Sequence, residues 1–172
     1  MTQRRPIRVL TATVSDTRTP ETDESGRLLA TLLEEGGLSL TAHHIVSDEA
    51  ATIRALVEAA CGAEDVDVVL LSGGTGIAAR DVTIEAVAPL LDKELPGFGE
   101  AFRRLSFDEI GARAMLSRAI AGTRGTTVVA ALPGSPAAVR LAMRSLLVPV
   151  LEHAVALLEG HTEHRHRSPE GG

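Results

Sequence analysis

The run VDVVLLS (66–72) is apolar at consecutive positions, not at every second one. A strand that hides both of its faces reads this way, and such strands belong to parallel sheets covered by helices above and below. IRVLTATV (7–14), LSLTAHHIV (38–46) and the strand within TTVVAALPGSP are likewise β-branched and aliphatic. The segments between them carry helical spacing. Leu28, Leu29, Leu32 and Leu33 form one stripe, on a helix that starts near Glu24 and stops at Gly36 and Gly37. Ile53, Leu56, Val57 and Ala60 form a second stripe after a capping signal at Ser47 or Asp48. VTIEAVAPLLD reads as a helix. LPGFGEAFRRLSFDEIGARAMLS reads as a Pro-Gly break with further helical pattern, and the last long helical segment is bent near Pro149.

Strands alternating with helices in this way predict an α/β fold of three layers, a mainly parallel sheet with helices on both faces. Residues 1–160 form one domain in this reading, and the polar tail 161–172 is expected to be disordered.

Composition narrows the function. The chain of 172 residues has a net charge of −6, with no Trp or Tyr. That argues against a broad nucleic-acid or anionic-membrane surface, and aromatic platforms for single strands are missing. A single cysteine, Cys61, excludes a disulfide framework and reads as a small helix residue. No apolar stretch is read as reaching the length of a membrane span, so a cytosolic protein is expected. His43 and His44 are adjacent on a strand and point to opposite faces, while His161, His164 and His166 lie in the tail, where such residues are mostly compositional.

The chemistry gathers in loops that follow strands. In a doubly covered sheet, ligands bind outside the carboxyl ends of the strands, where strand order reverses. Three loops of unusual composition, 15–26, 72–81 and 133–136, should open on that edge. In LLSGGTGIAARD (70–81), Gly73, Gly74 and Gly76 let main-chain N–H groups approach an anion, with Ser72 and Thr75 adding hydroxyls. A plain tight turn is the other reading, since neither the P-loop nor the dinucleotide fingerprint is present.

Asp81 closes the loop, and Asp48 follows a strand and precedes a helix. Each carboxylate reads either as a helix cap or as a partner for Mg²⁺, which takes one or two carboxylates together with substrate phosphates. Ser135 reads as a cap of the last helix or a ligand contact, with Pro136 in the first helical position. Arg18, Arg80 and Arg103 are candidate phosphate contacts or ordinary surface residues.

SDTRTPETDESG, LLSGGTGIAARDVT, LPGFGEAFR and LPGSPAAV, in this order and at these separations, resemble the MogA/MoaB family of molybdenum cofactor biosynthesis, over roughly residues 7–160. The first loop looks more like the MoaB branch. The resemblance implies the molybdopterin-binding fold and adenylylation of molybdopterin by Mg-ATP, giving adenylyl-molybdopterin and pyrophosphate. It implies Asp48 and Asp81 as the catalytic pair, with Mg²⁺ held by Asp81 and Asp48. Gly73, Gly74, Thr75 and Gly76 would cradle phosphate, while Ser15, Asp16 and the turn with Gly134 and Ser135 would line the pterin side. It also implies a homotrimer or homohexamer and a MoeA-type metal-insertion protein as partner. The alternative is a carrier or assembly protein of the same pathway that binds molybdopterin without chemistry.

Overall fold

The computed structural model describes residues 5–160, so the expected tail 161–172 lies outside the described residues. Six strands form one sheet: β1 (Arg8–Val14), β2 (Ser39–Val46), β3 (Val68–Ser72), β4 (Lys93–Glu94), β5 (Ile120–Arg124) and β6 (Thr127–Leu132). Their order is β2-β1-β3-β6-β5-β4. The four strands expected from sequence pair in parallel, β1 with β2, β1 with β3, and β3 with β6. The sheet is therefore mostly parallel, as expected, and is extended by an antiparallel edge. β5 leads into β6 through a tight turn in which Gly125 takes φ 56°, and β4 adds to β5.

Helices cover both faces. α1 (Glu24–Glu35) contributes Leu29, Leu32 and Leu33 to one core, beside Phe102 of α4 (Pro96–Ile110) and Val139 of α5 (Pro136–Ala142). Leu151 and Val155 of α6 (Val148–Leu158) complete that layer. On the other face, Ile53 and Val57 of α2 (Ala50–Cys61) meet Ala86 and Val87 of α3 (Thr83–Val87) over Leu71, Val69 and Val129. Because β3 lies between the layers, all five of its residues are buried, which accounts for its uninterrupted apolar run.

Three local expectations are revised. The helix read from VTIEAVAPLLD ends at Val87 and passes into a single 3₁₀ turn over Ala88–Leu90, where Pro89 has no N–H to continue the ladder. The Pro-Gly pair at 96–97 starts α4 instead of interrupting a helix, with Pro96 in its first turn. In the last helical segment the irregularity is a wide π-turn over Met143–Leu147, just ahead of Pro149.

Contrary to the sequence reading, Pro136–Leu158 is a 23-residue helix of mean hydropathy 1.6, long and apolar enough by those measures to cross a membrane. One face of it packs on the sheet, while Val150 and Leu157 are exposed. Val139, Ala142, Met143, Leu147, Leu151 and Val155 are buried in the sheet core, and Arg140, Arg144, Glu152 and His153 are exposed along it. It is a core helix.

Candidate active site

Strand order reverses between β1 and β3, so the loops after these strands flank a crevice at the carboxyl edge of the sheet. The turn after β2 brings in the third piece. Asp16 and Asp48 are joined reciprocally: the Asp16 N–H donates to Asp48 Oδ2 at 3.1 Å, and the Asp48 N–H donates to Asp16 Oδ1 at 2.9 Å. This pair stitches the β1 loop to the β2 loop, 32 positions apart. The Asp48 side chain is only 6% exposed, whereas that of Arg80, whose guanidinium lies 3.3 Å from Asp48 Oδ2, is 59% exposed.

Neither carboxylate is a helix cap. Glu49 occupies the cap position of α2 and Val82 that of α3, and neither helix has a side-chain cap bond. Asp48 is turned toward the glycine loop instead: its Oδ1 lies 3.4 Å from where a Cβ would stand on Gly74. Asp81 folds back onto its own loop, accepting from the Ala78 N–H at 2.9 Å, and its Oδ2 lies 2.7 Å from where a Cβ would stand on Gly76. The bareness of the loop has a steric reason. At Gly76 a hydrogen stands where any side chain would push the Asp81 carboxylate away, and at Gly74 one stands where a side chain would collide with Thr83 Oγ1.

The loop is pinned from below and from outside. The Gly73 N–H donates to Leu132 C=O at 2.9 Å, so Gly73 shapes the loop and its N–H is already engaged. Thr83 Oγ1 donates to Gly73 C=O at 2.7 Å, and the Thr83 N–H donates to Gly74 C=O at 3.1 Å. By contrast, the N–H groups of Gly74, Thr75 and Gly76 have no hydrogen-bond partner among the described residues. The positive potential the sequence reading ascribed to the following helix is small, because α3 has five residues.

The remaining expected residues divide. Gly134 abuts Gly73, with 3.2 Å between its Cβ position and Gly73 Cα, and its carbonyl accepts from Ser25 Oγ at 2.7 Å. Ser135 caps α5, its Oγ accepting from the Ala138 N–H at 3.2 Å. Ser15 Oγ accepts from the N–H groups of Thr17 and Arg18 and so builds its own turn. Ser72 is wholly buried, and its Oγ has no hydrogen-bond partner among the described residues. Arg103 is taken up by the carbonyls of Ser117 and Ala119, and Arg18 by that of Thr22.

Sequence reasoning missed Arg118. Its Nε donates to Gly76 C=O at 2.9 Å and its Nη2 to Asp81 C=O at 3.1 Å, and it forms an ion pair with Glu85. That pairing holds the Glu85 carboxyl below its usual range. A recess of about 400 Å³ lies beside this clamp, lined by Ile77, Asp81, Glu85 and Arg118 among others. Its only sequence signal is an arginine entering an unrecognised edge strand.

Among the described residues no group of three metal-ligating side chains occurs.

Residues 11–153 match the family described as a probable molybdopterin binding domain. The chain belongs to that molybdopterin-binding family. Within it, the chain is 57% identical over 148 residues to molybdenum cofactor biosynthesis protein B of Bacillus cereus, covering 86% of this chain and 88% of that one. A crystal structure of a molybdenum cofactor biosynthesis protein B superposes with a TM-score of 0.88 at 55% identity, over 91% of this chain and 98% of the other. The tungsten cofactor synthesizing protein MoaB of Pyrococcus furiosus superposes with a TM-score of 0.80 at 34% identity, over 93% and 100%. The family assignment drawn from the four motifs, the three-layer fold and a place in molybdenum cofactor biosynthesis therefore hold for this chain.

Proposed function

We infer that this protein adenylylates molybdopterin. The observation that carries the reading is the glycine loop itself: three unengaged N–H groups lie on a loop flanked by two carboxylates, Asp81 fitting against Gly76 only because that residue is bare and Asp48 standing within contact range of Gly74. A phosphate next to two carboxylates is stable only with a cation between them, and Mg-nucleotide supplies that combination.

In this reading the terminal phosphate oxygen of molybdopterin attacks the α-phosphorus of ATP. The bond from that phosphorus to the bridging oxygen breaks, and pyrophosphate leaves with the electron pair. Asp48 and Asp81 would hold Mg²⁺, which when bound neutralises charge on the transferring phosphate. Gly74, Thr75 and Gly76 offer N–H groups to phosphate oxygens, while Thr83 holds the Gly74 carbonyl and Arg118 those of Thr75 and Gly76. Gly134 lies next to Gly73 on the wall facing the β1 loop, where Ser15 and Asp16 bound the space assigned to the pterin. No protein nucleophile is needed, because the attacking group belongs to the substrate.

The product is proposed to pass to a MoeA-type metal-insertion protein, with the whole process in the cytosol. Assembly as a homotrimer or homohexamer is supported by exposed apolar side chains near the loop, including Ile77, Met115 and Leu116. Calorimetric titration with ATP tests the reading. Binding is expected to require Mg²⁺ and to weaken at least about tenfold in Asp81→Asn and Asp48→Asn, the cost of one charged contact. Molybdopterin binding with no ATP binding under any condition would instead make the protein a carrier.

A further inference from the structure

Asp48 and Arg80 are unequal partners. Asp48 is fixed, its N–H held by Asp16, its Oδ2 held by the Asp16 N–H, and its side chain almost fully covered. Arg80 comes from the exposed rim of the glycine loop and approaches from the solvent side, 3.3 Å from Asp48 and 3.9 Å from Asp16. Among the described residues it is the cation within ion-pair reach of Asp48. A buried carboxylate needs a counter-charge, whereas an exposed guanidinium loses little on returning to water.

We propose that Arg80 is a displaceable counter-ion that occupies the Asp48 carboxylate until a divalent cation replaces it, then turns to the phosphate oxygens arriving at the loop. This inference rests on the reading of Asp48 as a cation ligand. The arrangement solves a problem that a buried, pre-formed carboxylate site creates. Before substrate arrives, Asp48 would otherwise carry an uncompensated charge. Once the cation is in place, the positive charge of Arg80 is best used on an incoming anion, and its position next to Asp81 in sequence keeps it at the mouth of the crevice. One nitrogen, Nη2, faces both the Asp16 and the Asp48 carboxylates, so the rest of the Arg80 guanidinium makes no contact with them.

Competition of this kind has a signature that a purely structural arginine lacks. Removing Arg80 should strengthen binding of the bare cation and weaken binding of the cation–nucleotide complex. The test uses Mn²⁺ alone as a paramagnetic probe, with wild type, Arg80→Ala, Arg80→Gln and Asp48→Asn, each checked for an unchanged melting temperature. Both Arg80 variants are expected to bind Mn²⁺ about threefold to fivefold tighter than wild type, the range of an exposed ion pair. Asp48→Asn should bind none at this site. With ATP present, the Arg80 variants should lose that advantage and bind Mn-ATP more weakly than wild type. Equal or weaker Mn²⁺ binding in both Arg80 variants, or no Mn²⁺ binding in any protein, overturns the proposal. Tighter Mn²⁺ binding without any turnover of molybdopterin would leave the counter-ion intact and remove the transferase reading. Turnover with Mn²⁺ affinity indifferent to Arg80 would do the reverse.

Discussion

Arg118 Nε donates to the carbonyl of Gly76 at 2.9 Å across 42 positions of sequence. Through this bond, and that from Nη2 to Asp81 C=O, the residue entering β5 fixes the outer wall of a loop made after β3. The glycine loop is thus held on one side by Thr83 and on the other by Arg118. Its carbonyls are engaged by these partners, while the N–H groups of Gly74, Thr75 and Gly76 have none among the described residues.

Loosening that clamp should show in ligand binding before it shows in stability. Arg118→Ala is expected to weaken Mg-ATP binding about tenfold, the worth of one charged hydrogen bond. Arg118→Lys should recover only part of this, since an ammonium cannot reach both carbonyls and Glu85 in one plane. Parallel calorimetry and thermal melts check the pair. Equal affinity in all three proteins would show that the clamp does not shape the site.

Gly76 and Gly74 make a contrasting pair. Gly76 does not take a positive φ, so alanine is permitted by the backbone, yet its Cβ would lie 2.7 Å from Asp81 Oδ2. Gly76→Ala should therefore keep stability to within about 1 kcal/mol while lowering turnover at least tenfold. Gly74 takes φ 67°, and a Cβ there would collide with Thr83 Oγ1, which is already bonded to Gly73. Gly74→Ala is expected to cost about 2–3 kcal/mol, measured by urea unfolding.

Far from the crevice, at the amino ends of the strands, Asp67 gathers Arg5, Arg8 and the Arg8 N–H. Burial opposes its charge, but these donors outweigh burial and hold the carboxyl well below the usual range. A folded pKa below the unfolded value gives stability that is fully present above about pH 4 and lost as pH falls further. Glu85, lowered by Arg118, adds to the same loss. Asp67→Asn should cost about 2–3 kcal/mol at pH 7, flatten the acid limb of the unfolding curve and leave ATP affinity unchanged. A variant as acid-sensitive as wild type would contradict the assignment.

The four parallel strands were legible because burial on both faces writes consecutive apolar residues into the chain, as in Val68–Ser72. The antiparallel edge was not. Ile120–Arg124 carries Gly122 and two small residues, and Gly122 is there because Lys93 C=O and Leu91 crowd its Cβ position. A short, glycine-bearing strand gives no periodic signal. At the site, Asp48, Asp81 and the glycines stand in one motif or at a strand end, where composition is unusual. Arg118 makes its contacts only through tertiary folding, and the capping alternatives for Asp48 and Asp81 fell to helix starts displaced by one or two residues.

The most direct test incubates purified protein with molybdopterin, ATP and Mg²⁺ and resolves the products. The account predicts adenylyl-molybdopterin and pyrophosphate in equal amounts from wild type, with neither from Asp48→Asn or Asp81→Asn, although both variants fold. Molybdopterin bound by wild type with ATP left intact would contradict it.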